Sequence, residues 1–377
     1  MTDLDHLLHD LAMLVNVESP SHDVDAISAS ATALADIIEY RLGSRPTLVD
    51  GPAGPHVHWR GGDAATVLVL GHHDTVFPLG TLAQRPFALV DGRATGPGVF
   101  DMKAGIVQAI HAVASLPDRS CVEMLFTSDE EAGSATSRAL VEERAVACGA
   151  VLVVEPSADG GALKTARKGV GTYEVIVHGR ASHAGLEPEK GVNSLVAAAE
   201  LIQQIATFGD PAQATTVTPT MASSGTAENV VPARTSMRVD VRIAVPAEQA
   251  RLDRAMAGLR TSVDGATIEV HGGVNRPPMA ASASVSLWPL AEEAARSIGI
   301  GDLRGVGVGG GSDGNFTAAV GVPTLDGLGA VGGGAHADHE FVLVDTMVER
   351  TRLLAALIER VVGAGVGAGA GAGDHQR

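Results

Sequence analysis

The period of the apolar positions changes along this chain, and the changes mark its organisation. Three short apolar runs, TVLVLG at Thr66–Gly71, CVEMLFTS at Cys121–Ser128 and AVLVVE at Ala150–Glu155, alternate with stretches near Lys103–Leu116 and Thr136–Ala147 that carry apolar residues at helical spacing. Strands buried on both faces read as unbroken apolar runs, so this part predicts an α/β unit with a mostly parallel central sheet.

Between Gly169 and His271 the order becomes strand (GTYEVIVHG), helix (NSLVAAAELIQQIATF), strand (ATTVTPTMA), strand (TSMRVDVRIAV), helix (AEQARLDRAMAGL) and strand (ATIEVHG). That βαββαβ series is the ferredoxin-like arrangement, a self-contained unit. After NRPPM the α/β pattern resumes with a helix near Ser286–Ser297, the strand-like VPTLDGL and a last helix near Asp345–Val362. The first domain is therefore expected to be discontinuous, residues 1–168 and 276–364, with 169–275 inserted. The tail at 365–377 is low-complexity, has no apolar face and is expected to be disordered. The N-terminal MTDLDHLLHDLAMLVNV has helical spacing and acidic residues, which predicts a surface helix rather than a leader.

Composition narrows the function classes. With 377 residues the chain can bury ordinary cores without staples. Its formal charge of −17 disfavours nucleic acid and anionic membrane as partners. No run approaches the roughly 20 apolar residues that span a bilayer. Cys121 and Cys148 are too few for a disulfide framework, so a cytoplasmic protein with reduced thiols is expected.

Candidate chemistry sits where the apolar runs stop. His72 ends the first run in GHHDTVF, and Asp74, two positions on, would leave the strand on the same side. A ligating imidazole usually gives its second ring N–H to such a partner. His73 competes with His72 for the ligand role, and the alternation favours His72. Asp101 follows the turn GPGVF, where an ordinary helix cap is the bland alternative. Glu130 and Glu131 come straight after a buried run, and adjacent carboxylates there are costly without nearby positive charge. One can bind metal while the other reaches water. Glu155 ends VLVVE in the same way. His336 lies in GGGAHADHE, with His339 as its rival. Imidazole and carboxylate donors without cysteine suit zinc, with cobalt or manganese as substitutes.

The Gly run GVGVGGGSDGN at Gly305–Asn315 lacks the lysine of a nucleotide loop. It reads as a close-approach loop entering a helix capped by Ser312 or Asp313. Backbone N–H groups there, Gly311 among them, can meet a substrate carboxylate. Arg242 is a weaker candidate for substrate contact, since an alternating strand arginine more often faces solvent.

On these motifs the sequence resembles the dinuclear zinc hydrolases that include bacterial glutamate carboxypeptidase, aminoacylase and succinyl-diaminopimelate desuccinylase. The likeness runs from about Val17 to Val362 and is nearest the glutamate carboxypeptidase branch, judging from HHDTVF, GPGVFDMKAG, DEEAGS, EPS and RASHAG. The resemblance implies His72 and Glu155 on one zinc, Glu131 and His336 on the other, and Asp101 bridging two ions per subunit. It further implies that Asp74 orients His72 and that Glu130 is the general base and acid. His183 in GRASHAG matches a lid histidine that binds the reacting carbonyl, often across a dimer. Asn229 matches the lid asparagine, and Arg276 resembles the arginine that binds a substrate carboxylate. Met102 stands where many relatives carry a second acidic residue, and His339 is an unusual addition.

The leading expectation is a carboxypeptidase acting on a small peptide or N-acyl compound beside a free carboxylate, as a homodimer through the inserted domain. The alternatives are an N-acyl-amino-acid deacylase and, less favoured, a catalytically silent binding relative, against which Glu130 and the complete ligand set argue.

Overall fold

The structure, a computed structural model, describes residues 3–366. The expectation for the tail falls, from residue 367 on, outside the described residues. Chain contacts divide the molecule into two compact units. The first takes the residues up to Ala166, Ala281–Val308 and the stretch from Ser312 on, and the second takes Arg167–Ala280 with Gly309–Gly311. Gly309–Gly311 had been expected with the first unit. Their carbonyls draw them into the second, since Arg167 Nη1 donates to Gly310 O at 3.2 Å and Gly311 O at 3.1 Å.

The first unit is α/β around a six-stranded sheet. Four strands, Val122–Thr127, Val67–His72, Val151–Val153 and Thr324–Leu325, run parallel in that spatial order. The strands His56–Arg60 and Thr47–Val49 extend the sheet antiparallel beyond Val122–Thr127. Alternation along Val67–His72 explains the layers. Val67 and Val69 pack with the helices Leu4–Val15, Val24–Leu42, Ala104–Ser115, Trp288–Ser297 and Met347–Gly363. Leu68 and Leu70 face Val141, Ala145 and Cys148 of the helix Arg138–Cys148 and Phe316 of Gly314–Ala319. A central strand covered on both faces leaves its carboxyl end, His72, as the place where polar groups gather.

A second, smaller sheet in this unit pairs Gly332–Gly333, Phe341–Leu343, Arg93–Thr95 and Ala88–Val90 in order. It holds the chain leading to Asp101 beside the loop that carries His336.

The second unit is a four-stranded antiparallel sheet, Thr216–Ser224, Arg234–Ile243, Gly169–His178 and Thr267–Arg276, with the helices Ser194–Ile205 and Ala247–Ala257. Alternate residues Tyr173, Val175 and Val177 pack with Leu201, Met237, Val239 and Leu252 to form its core.

One expectation needs correction. Gly305–Val308, read as loop, is a strand paired with Leu163–Arg167, because glycine hides the alternation that would mark it. Of the two candidate caps for the next helix, Gly314–Ala319, Asp313 takes the N-cap position and its carboxylate accepts from Thr127 and Ser134, while the Ser312 Oγ accepts from Gly314 N at 3.1 Å.

Candidate metal centre

The central strand presents His72 at its end, and the neighbouring parallel strands deliver Glu130, Glu131 and Glu155 just beyond theirs. His72 is buried, and its Nε2 lies 3.3 Å from Asp101 Oδ1 and 3.5 Å from Glu155 Oε1. His336 Nε2 approaches the other oxygen of Asp101 at 3.3 Å and Glu131 Oε1 at 2.9 Å. Candidate donor atoms of His72, Glu130 and Glu155, and separately of His72, Asp101 and Glu131, all fall within 4.8 Å of one another.

His73 is excluded from this cluster. Its ring is buried against Ser30 Oγ and Pro55 O, each at 3.2 Å, and burial pushes its pKa down to about 4, so it is a neutral structural histidine. His339 is exposed, and among the described residues it joins neither donor group. His336 itself is held at φ 63, a left-handed conformation that costs a non-glycine residue roughly 1 kcal/mol and gathers at functional sites.

Asp101 does not cap a helix. It lies in the turn Val99–Lys103 ahead of Ala104–Ser115, whose own N-cap is Lys103 without a side-chain bond. Gly98, in the left-handed region, permits this turn, since a Cβ there would collide with Thr75. Met102 fills the space beneath His72, its sulfur accepting from His72 N at 3.3 Å.

Asp74 does more than orient an imidazole. His72 Nδ1 lies 3.0 Å from the backbone carbonyl of Asp74 and 3.4 Å from its carboxylate. The carboxylate also accepts from Glu130 N at 3.2 Å, Glu131 N at 3.1 Å and Ser21 Oγ at 2.6 Å, so one buried acid sets both the imidazole and the acidic turn.

The acids of the centre act strongly on its two imidazoles. Burial works against protonating His72, yet Asp101, Asp74 and Glu155 hold its pKa well above the ordinary value. Asp101 and Glu131 raise His336 to about 10. Burial raises Glu131, whereas Asp101, despite burial, is held low by His336 and His72. Asp101 Oδ1 is buried and has no hydrogen-bond partner, and the donors are imidazole and carboxylate alone, a set that fits two divalent ions.

Glu340 is a buried contact of the Asp101 turn that the sequence did not disclose. Its carboxylate accepts from Gly98 N (2.9 Å), Phe100 N (2.9 Å) and Asp101 N (2.8 Å).

The remaining predicted residues lie in the second unit. His183 is exposed, and its Nδ1 accepts from Gly185 N at 3.1 Å and Leu186 N at 3.0 Å, which leaves the ring proton on Nε2. Asn229 is exposed beside it, its carbonyl accepting from Ala184 N at 2.8 Å. Arg276 is buried near the end of the strand Thr267–Arg276. Arg242 is engaged by Asp240 at 3.0 and 2.9 Å within its own strand, which accounts for it structurally. Gly311 gives its carbonyl to Arg167.

A model of peptidase family M20/M25/M40 matches residues 68–360. Carboxypeptidase G2 of Pseudomonas sp. (strain RS-16) is 31% identical over 94% of this chain and 89% of its own length. Succinyl-diaminopimelate desuccinylase 2 of Shewanella loihica is 27% identical over 78% of this chain and 84% of its own. The crystal structure of aminopeptidase PepT from Bacillus cereus superposes with a TM-score of 0.76 at 22% identity, covering 96% of this chain and 99% of that one.

Proposed function

This chain belongs to peptidase family M20/M25/M40, and from that premise we propose that it is a carboxypeptidase-like amide hydrolase holding two zinc ions. It is a metal-dependent hydrolase of peptide or acyl-amino-acid bonds. The finer reading is cleavage beside a free carboxylate, supported by the likeness to carboxypeptidase G2.

The observation that carries this reading is Asp101, whose two oxygens each lie 3.3 Å from a different imidazole, those of His72 and His336. A carboxylate so flanked suits a bridge between two ions. His72 and Glu155 would complete one ion's donors, Glu131 and His336 the other's. Such ions supply activation of water near neutral pH and polarisation of a carbonyl.

Glu130 carries the proton in this mechanism. It is buried, its backbone is fixed by Asp74, and it takes a proton from the attacking water and returns it to the leaving nitrogen. His183 offers an N–H donor to the developing oxyanion, a role its fixed tautomer suits. Arg276, Asn229 and the Gly311 region are proposed substrate contacts, and a homodimer through the inserted unit is the proposed assembly. No helix among the described residues is long and apolar enough to cross a membrane, and the free cysteines fit the proposed cytoplasmic location.

The second reading, an N-acyl-amino-acid deacylase, is favoured by the likeness to the desuccinylase. Zinc-loaded protein assayed against peptides ending in glutamate and against N-acetyl and N-succinyl amino acids separates the two. Release of the terminal residue supports the carboxypeptidase, faster loss of the acyl group supports the deacylase, and no amide turnover contradicts both.

A further inference from the structure

We infer that Glu340 is a positioning residue for Asp101, locking the turn that carries the shared carboxylate to the loop that carries His336. The inference rests on the proposed role of Asp101 and His336 as ligands.

Three backbone N–H groups within four residues, those of Gly98, Phe100 and Asp101, converge on one carboxylate. The geometry uses both oxygens, Oε1 for Phe100 and Asp101 and Oε2 for Gly98, so the turn is fixed in rotation as well as position. No helix or strand ladder is available to those donors where the backbone departs from helical angles at Asp101 and Met102, and a buried unpaired N–H is costly. Four residues before Glu340 stands His336. The strand Phe341–Leu343 starts immediately after Glu340 and pairs Phe341 with Thr95 of the strand that leads into the Asp101 turn. The two loops therefore adjoin paired strands and are joined again where Glu340, at the strand end of the His336 loop, grips the Asp101 turn.

The consequence is local to the ions. Asp101 Oδ1 and Oδ2 must point to different imidazoles at once, and their direction follows from the backbone that Glu340 grips. Lys103 is buried in the same turn, its Nζ donating to Val17 O at 2.7 Å, so the turn is tied to a second part of the chain as well. Partners that hold a ligand in place change metal affinity by about 10–100-fold when removed.

The test is cobalt titration of metal-stripped protein, followed by visible absorption, for the parent and for Glu340→Gln and Glu340→Ala. Glutamine keeps the shape and one acceptor but turns an NH2 toward the Gly98 N–H. Two cobalt ions should bind the parent, and in Glu340→Gln affinity should fall by at least about tenfold with an altered spectrum. Glu340→Ala should fall further. A parent that binds no cobalt removes the ligand reading and this inference with it. A parent that binds two ions, with a folded Glu340→Gln identical in affinity and spectrum, overturns the clamp alone. Amide hydrogen exchange on the metal-stripped parent gives a measurement that needs no variant. Slow exchange at Gly98, Phe100 and Asp101 is expected, and exchange at the rate of an open loop overturns the inference.

Discussion

Ser21 donates its hydroxyl to Asp74 Oδ2 at 2.6 Å, joining parts of the chain 53 residues apart. Through that bond the segment after the first helix supports the acid that positions His72, Glu130 and Glu131. Ser21→Ala should lower kcat/KM about tenfold, equivalent to roughly 1.4 kcal/mol of lost transition-state stabilisation. Unfolding in urea should show a loss of about 1–2 kcal/mol, as expected for a buried bond to a charged acceptor. Unchanged values in both measurements would deny the support.

With Glu130 in its proposed role as general base, Glu130→Gln should retain two metal ions and lose about 10²–10⁴-fold in kcat, whereas loss of an ion would make it a ligand beside His72 and Glu155. Glu155→Ala and His72→Ala should instead lose metal, read by elemental analysis after gel filtration. His73→Asn, at the neighbouring ring that faces Ser30 and Pro55, should keep both ions.

For His183, replacement by alanine should leave metal content and thermal unfolding unchanged while kcat falls about 10²–10³-fold, the typical loss of one oxyanion donor. A change confined to KM would assign the ring to substrate binding instead.

A pH dependence of stability is expected far from the metal centre. Burial raises the carboxyl of Glu123, but His58 and Arg144 outweigh it and hold its pKa at about 2 against an ordinary 4.5. Since the folded value is the lower one, the stabilisation is complete above pH 4.5 and declines as pH falls toward 2. The urea midpoint of the parent should drop across that window, and that of Glu123→Gln should drop less. Parallel profiles would show that the group does not couple to folding.

The sequence disclosed the chemistry better than its supports. Continuous apolar runs exposed the three parallel strands, and the acids at their ends were conspicuous because burial there is expensive. His72 was separable from His73 by alternation. Glu340 was not separable from a surface acid, because what marks it is three N–H groups about 240 residues away. The helix Val24–Leu42 was missed since its alanine and serine content blurs the apolar stripe, although Ile27, Leu34 and Ile38 are fully buried. The strand Gly305–Val308 was hidden by its glycines, whose pairing is a matter of backbone alone.

Anomalous diffraction at the zinc edge, from crystals of the zinc-loaded protein, tests the central claim most directly. Two peaks are predicted, one on each side of the Asp101 carboxylate, the first against His72 and Glu155 and the second against Glu131 and His336. A single peak that leaves one Asp101 oxygen uncoordinated, or peaks away from Asp101, would contradict the account.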